Sequence, residues 1–143
     1  MKKYQLILGL TLCLWSFAGS AMANIGTYFE IPVNDLDRAI KFYSAVFECE
    51  FTKETIHGNE MAFFPFDDQK AGITGGLAKG ESYKPSLDGS LVYLSTKDID
   101  GTLKRVLVAG GTTLFPKTLV PGLGYSAEFR DSEGNRVALF QRQ

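Results

Sequence analysis

Two halves of this 143-residue chain repeat one order of secondary-structure signals, and the repeat restricts the fold more than any other feature. The first half opens with apolar residues at every second position, as in a half-buried strand: Phe29, Ile31 and Val33. Asn34-Asp35 then has helix-capping chemistry, and apolar residues recur at helical spacing: Leu36, Ile40, Tyr43 and Phe47. Three more strands are predicted at residues 51–56, 61–66 and 71–77, with a hairpin turn at His57-Gly58-Asn59 between the first two.

The second half repeats this order after a polar linker at residues 79–88. Its predicted elements are a strand, a helix and three strands, at residues 91–96, 99–107, 112–119, 125–129 and 136–141. The helix has Asp98 as its cap and ends at Gly110-Gly111, and a shift of 63 residues places Asp35 on Asp98. The sequence therefore predicts an α+β fold of two tandem βαβββ modules, at about residues 27–78 and 89–142.

Residues 1–23 have the composition of a secretory signal peptide. Two lysines follow Met1, residues 6–17 are apolar, and Ala21-Met22-Ala23 is a small-x-small cleavage site. The apolar run of 12 residues is shorter than the roughly 20 that a membrane-spanning helix needs, so a retained anchor is the minor alternative. We therefore expect cleavage after Ala23, a periplasmic or secreted location, and one domain at residues 24–143.

The charge balance argues against some classes of partner. The chain has 15 Lys+Arg against 16 Asp+Glu, and removal of the signal peptide leaves a formal net charge of −3. We expect no nucleic-acid partner, because no basic excess is present, and no membrane association after cleavage. Cys49 is then the single cysteine, and both a buried apolar role and a reactive thiol stay open for it.

Two motifs are similar to those of a known family. The sequence Tyr-Phe-Glu-Ile-Pro-Val-Asn-Asp-Leu-Asp-Arg-Ala-Ile-Lys-Phe-Tyr at residues 28–43 resembles the opening of glyoxalase and bleomycin-resistance-like domains. Residues 131–140, Asp-Ser-Glu-Gly-Asn-Arg-Val-Ala-Leu-Phe, resemble their closing signature. These domains form the vicinal oxygen chelate (VOC) superfamily, together with the extradiol dioxygenases. The resemblance covers essentially all of residues 24–143; it implies curved mixed sheets that enclose a small-molecule cavity, with the helices outside, and it suggests a homodimer.

The resemblance also implies positions for the ligands of a divalent metal ion, and this chain departs from the pattern at each of them. Metal-dependent members hold the ion with His, Glu or Gln side chains. Here the corresponding positions carry Tyr28, Leu91 and Ala138, and the fourth strand offers only Thr74. The single histidine, His57, lies in the predicted hairpin turn. Because a catalytic site needs about three converging donor groups, we expect no metal ion and no other cofactor.

Strand alternation identifies the side chains that would line the cavity. Phe29 is expected to face the helix, whereas Glu30 faces away from it. Glu30 and Glu128 are the candidate catalytic groups, since a carboxylate in a partly apolar cavity can become a proton donor or base. The candidate ligand-binding residues combine aromatic, apolar and cationic side chains: Tyr28, Phe63, Leu91, Tyr93, Arg136 and Phe140. Pairing of Glu30 with an arginine, or its exposure to solvent, is the structural alternative.

Four functions stay open from the sequence. The first is an exported protein that binds a small apolar or aromatic molecule without a metal ion. The second is a metal-independent lyase, isomerase or epimerase that uses cavity carboxylates, and the third is a metal-dependent glyoxalase or dioxygenase with atypical ligands. The fourth is a structural module whose own side chains fill the cavity. The missing metal ligands favour the first of these.

Overall fold

The computed structural model describes residues 25–143, so the predicted signal peptide and its cleavage site lie outside the described residues. The elements follow the order βαβββ twice: β1 (Tyr28–Pro32), α1 (Leu36–Phe47), β2 (Thr52–Ile56), β3 (Asn59–Phe63), β4 (Thr74–Lys79), β5 (Val92–Ser95), α2 (Ile99–Val108), β6 (Thr112–Val120), β7 (Gly124–Arg130) and β8 (Arg136–Arg142). Within this range, neither helix has the length and apolar character that crossing a membrane requires.

The strands form two four-stranded mixed sheets, one in each module. The first sheet has the order β1-β4-β3-β2 and the second has the order β5-β8-β7-β6. β1 pairs with β4, and β5 with β8, in parallel, whereas the other pairs are antiparallel. The predicted α+β fold with two tandem βαβββ modules is therefore confirmed, and β1 and β5 are edge strands of their sheets.

The third and fourth strands have different boundaries from those predicted. Residues 57–58 both have positive φ, 48° and 81°, so a two-residue turn is sufficient and β3 already begins at Asn59. Pairing ends next to Pro65, which has no amide hydrogen to donate, so β3 does not extend to residue 66. β4 begins at Thr74, three residues later than predicted. The bounds of β3 differ because turn geometry and proline chemistry outweigh the apolar pattern there.

Both helices begin where the repeat predicts. Asp35 and Asp98 are the N-caps, and each accepts a hydrogen bond from the backbone amide three residues further on. The helices pack against each other, and each also packs against the sheet of its own module. The ring of Phe42 in α1 lies 6.1 Å from that of Phe129 in β7, so a single hydrophobic core joins the two modules.

The segment at residues 131–135, here called the closing loop, joins the second module to the first. The Glu133 carboxylate accepts hydrogen bonds from the Arg38 guanidinium at 2.7 and 2.8 Å and from two backbone amides that precede α1. The Tyr43 hydroxyl in α1 donates to a carboxylate oxygen of Asp131 at 2.7 Å. The closing loop, which is the first half of the closing signature, thus joins the two modules through polar contacts that are buried or partly buried.

Candidate functional site

A cavity of about 730 Å³ lies between the edge strand β1 of the first module and the edge strand β5 of the second. This inter-module cavity has a volume in the range of small-molecule sites. Its wall is mostly aromatic and aliphatic: Phe29, Phe47, Cys49, Phe64, Pro65, Ala71, Gly72, Ile73, Thr74, Leu91, Val92, Tyr93, Leu94 and Ser95. Segments far apart in the sequence therefore form one apolar site.

Four aromatic residues form part of this wall, namely Tyr93 and the three phenylalanines Phe29, Phe47 and Phe64. The Phe29 ring lies 5.9 Å from the Phe64 ring, and Phe64 packs at 5.6 Å against the buried Tyr43, which anchors the wall in the core. Gly75 is opposite Phe29 in the β1–β4 register, and a side chain at Gly75 would collide with the Phe29 ring. The glycine therefore allows this ring to lie across β4.

Cys49 contributes a thiol to the wall of the inter-module cavity. The residue is half-buried and is a free cysteine. Burial raises the pKa of its thiol, so the thiol is protonated near neutral pH. Of the two alternatives for Cys49, this environment favours the apolar role over the reactive one.

A second cavity, of about 310 Å³, lies on the first sheet and is here called the sheet-face cavity. Three of the residues predicted from strand alternation line it together, namely Tyr28, Glu30 and Phe63. The Tyr28 and Phe63 ring centroids are 6.4 Å apart with an interplanar angle of 46°. Tyr83 also lines this cavity, and its hydroxyl donates a hydrogen bond of 2.7 Å to Glu30 Oε2. No pattern pointed to Tyr83, because it lies in a polar linker without periodicity.

The remaining candidate ligand residues are distributed over other parts of the second module. Leu91 and the exposed Tyr93 line the inter-module cavity. Arg136 lines a third cavity, of about 240 Å³, to which Glu30 also contributes. Phe140 is half-buried on β8, where it pairs with Ser95. Candidates chosen by one alternation rule thus line three cavities instead of one, and the sheet-face and third cavities share Glu30.

Glu128 is engaged by an arginine on the neighbouring strand. Its two carboxylate oxygens accept hydrogen bonds from Arg136 Nε at 2.6 Å and Nη2 at 3.0 Å. Glu128 belongs to the second sheet and lines none of the three cavities described above, whereas Glu30 belongs to the first sheet and lines two. These cavities do not bring the two carboxylates together, and the catalytic roles of Glu30 and Glu128 stay predictions.

The residues at the positions of the metal ligands do not fit a divalent cation. Burial, Glu30 and Tyr83 together raise the pKa of the Tyr28 phenol, so it stays protonated and is a poor ligand. Leu91 and Ala138 have no side-chain donor atom. Among residues 25–143, no group of three or more His, Cys, Asp or Glu side chains is arranged to hold a metal ion. The donor chemistry therefore disagrees with the metal site of metal-dependent VOC proteins.

Comparison with known proteins identifies a matching protein family and a protein of similar sequence. Residues 26–139 match the family described as the Glyoxalase/Bleomycin resistance protein/Dioxygenase superfamily. A glyoxylase-like domain-containing protein from Didymella fabae is 32% identical over 117 residues, which cover 79% of this chain and 90% of that protein.

Solved structures share the fold at low sequence identity. A glyoxalase/bleomycin resistance protein from Albidiferax ferrireducens has a TM-score of 0.64 and 21% identity, covering 82% of this chain and 98% of that one. TnmS3, an antibiotic binding protein from a Streptomyces species, has a TM-score of 0.61 and 22% identity, covering 86% and 98%. Glyoxalase I from Zea mays has a TM-score of 0.60 and 22% identity over 80% of this chain, which spans only 44% of that enzyme.

Proposed function

This chain belongs to the Glyoxalase/Bleomycin resistance protein/Dioxygenase superfamily, and from that membership we propose that it is an exported protein that binds a small apolar or aromatic molecule without a metal ion. The observation that carries the proposal is the aromatic and aliphatic wall of the inter-module cavity. An antibiotic binding protein with the same fold supports ligand binding as one use of this architecture.

The energetics of such a site follow from the apolar surface that a ligand would bury. A ligand that loses about 200 Å² of apolar surface to the cavity wall gains about 5 kcal/mol. Association also costs several kcal/mol of translational, rotational and side-chain freedom, so a measurable affinity needs more buried surface and good shape complementarity. The expected ligand is therefore an apolar molecule with two or three rings and few polar groups, small enough for a cavity of about 730 Å³.

The acid/base alternative has less support from the geometry. Arg136 neutralises Glu128 through two hydrogen bonds, and the Tyr83 hydroxyl occupies one oxygen of Glu30. A general acid and base pair needs both groups within hydrogen-bonding reach of one substrate. These two carboxylates line no common cavity among the three described.

A fluorescent probe tests the proposal on the chain that lacks residues 1–23. N-phenyl-1-naphthylamine is neutral and aromatic, and its emission should rise and shift to the blue as it enters the inter-module cavity. Ala71 lies in the cavity wall, so Ala71→Trp should weaken binding at least about tenfold, equivalent to about 1.4 kcal/mol. Ala45→Trp, on the exposed face of α1, is the matched control and should leave the affinity unchanged.

Two further measurements make the result decisive. Bound probe should slow the reaction of Cys49 with a maleimide, because this thiol lies in the cavity wall. Prior dialysis against EDTA should leave probe binding unchanged. Equal affinity of the Ala71→Trp and Ala45→Trp variants without Cys49 protection would contradict the location of the site, and a requirement for added zinc or nickel would contradict the metal-independent mechanism.

A further inference from the structure

We propose that the sheet-face cavity is a separate binding site for a small organic cation, such as a quaternary ammonium or protonated amine. This cavity of about 310 Å³ combines aromatic rings with one carboxylate: Tyr28, Glu30, Ile56, His57, Asn59, Met61, Phe63 and Tyr83. Its residues do not overlap with those of the inter-module cavity. The inference therefore stands independently of the proposed apolar ligand.

The aromatic part of the site is held by the register of the first sheet. Tyr28 on β1 and Phe63 on β3 flank the central strand β4, and Phe63 is opposite Gly76. A Cβ at Gly76 would lie 2.8 Å from the Tyr28 hydroxyl, so glycine leaves room for this ring over the sheet. With ring centroids 6.4 Å apart and both side chains partly exposed, Tyr28 and Phe63 present ring surface to the same small space. A cation within about 6 Å of such rings is attracted by their quadrupoles.

The charge of the site favours a cation over a neutral or anionic ligand. Glu30 is the one acidic side chain among the lining residues, and the lining contains no Lys or Arg. The Tyr83 hydroxyl binds Glu30 Oε2 and so positions the carboxylate, while Oε1 stays available to a ligand. Lys79 and Glu60, on the inner strands β4 and β3, pair with each other at 2.7 Å. Lys84 and Arg136 line the third cavity, which Glu30 also lines, and Arg136 pairs with Glu128.

Burial is the largest of the causes that raise the Tyr28 pKa, followed by the charge of Glu30, so this phenol stays neutral at physiological pH. Tyr83 also has a raised pKa because its hydroxyl donates to Glu30. The site therefore places the Glu30 carboxylate next to neutral aromatic rings. Aromatic rings around a carboxylate are the recognition chemistry of alkylammonium groups.

The test uses two probes of the same shape and different charge. Choline is the cation, and 3,3-dimethyl-1-butanol is its neutral isostere. In titrations of the chain without residues 1–23, followed by amide NMR spectra, choline should shift signals of β1, β3 and Tyr83. The isostere should bind at least about tenfold more weakly, since it lacks both the cation–π and the carboxylate attraction.

Single-residue variants test separately the contribution of the Glu30 charge and that of the aromatic rings. Glu30→Gln keeps an oxygen for the Tyr83 hydrogen bond and should weaken choline binding about fivefold or more, whereas Glu54→Gln, on β2, is the matched charge control. Phe63→Leu should weaken choline binding, and Phe66→Leu, at an exposed position outside this cavity, should not. Ala71→Trp should also leave choline binding unchanged, which separates this site from the inter-module cavity.

Selective binding of choline that depends on Glu30 and Phe63 supports the cation site. Equal binding of both probes, shifts confined to the inter-module cavity, or no binding at millimolar choline would overturn it. Insensitivity to Glu30→Gln, with a native-like amide spectrum, would overturn it as well.

Discussion

Replacement of Glu133 by glutamine should weaken the connection between the two modules. The Glu133 side chain is fully buried, and its carboxylate accepts four hydrogen bonds from three residues of the first module. Oε2 accepts from the backbone amides of Asn34 and Asp35 at 3.0 Å each, and Arg38 donates to both oxygens. Glutamine keeps one acceptor oxygen but turns an NH₂ group towards the guanidinium, which has only donors.

The magnitude follows from the contacts that are lost. Charge-assisted hydrogen bonds are worth about 1.5–3 kcal/mol each, but the Arg38 side chain is 54% exposed and can be solvated in the variant. We therefore expect Glu133→Gln to reduce the free energy of unfolding by about 2 kcal/mol at pH 7. Glu133→Ala also removes the acceptor for the two backbone amides, so its cost should be larger, about 3 kcal/mol.

The effect should depend on pH in a defined direction. Burial by itself raises the Glu133 pKa, but the hydrogen bonds from Arg38 and from the amides of Asp35 and Asn34 outweigh it, and the net pKa is lowered. A group with a lowered pKa in the folded state stabilises the protein above its unfolded-state pKa, about 4.3 for Glu. The difference between the parent chain and Glu133→Gln should therefore be constant from pH 8 to about pH 5 and shrink as the pH falls further.

Urea unfolding of the chain without residues 1–23, followed by circular dichroism between pH 3 and pH 8, measures this difference. The exposed Glu50→Gln is the control and should change the free energy of unfolding by less than about 0.5 kcal/mol. The reasoning would be refuted if Glu133→Gln were as mild as the control. A loss that stayed the same size down to pH 3 would also refute it, because the carboxylate charge would then not be its source.

Three other predictions concern backbone geometry, core packing and export. Gly58→Ala should lower the free energy of unfolding by about 1 kcal/mol, because alanine disfavours the positive φ at this position. Gly124→Ala should lower it by about 3 kcal/mol or more, because its Cβ would also collide with a carbonyl of β8. Equal losses for the two variants in urea unfolding would contradict this reasoning. Phe129→Ala should cost about 3–5 kcal/mol by leaving a cavity in the core, and a loss below 1 kcal/mol in the same assay would argue against a shared core. Export should remove the chain up to Ala23, and intact mass spectrometry of periplasmic protein that retained this segment would contradict the signal peptide.

Strand alternation selected three of the residues that line the sheet-face cavity, and their roles in ligand binding stay predictions. Tyr28, Glu30 and Phe63 were selected from the sequence, and the structure places them in one cavity because side-chain direction along a strand is a local property. Phe29 shows the limit of the same rule. Its side chain was assigned to the helix side, yet it also lines the inter-module cavity because β1 is an edge strand with open space beside it.

Polar partners were much less predictable than strand faces. The structural alternative for Glu30 was pairing with an arginine or exposure to solvent. Glu30 is exposed and accepts a hydrogen bond from Tyr83, whereas Arg136 pairs with Glu128. Each of these contacts depends on the position of a loop or a neighbouring strand, and hydrophobic periodicity does not predict that position. Glu133 was part of a recognised motif, but its contacts with Arg38 lie 95 positions away along the chain.

The doubled order of elements and the helix starts at Asp35 and Asp98 could be established from residue patterns, whereas the positions of the metal ligands came from the family resemblance. Helix capping, turn preference and hydrophobic periodicity depend on a few neighbouring residues, so they can be identified from a short stretch of sequence. The cavities and the contacts of the closing loop were decided by tertiary structure, because they form between strand edges and loops from different modules. The shapes of the cavities depend on how the shared core orients the two sheets, and that orientation results from the packing of residues distant in the sequence.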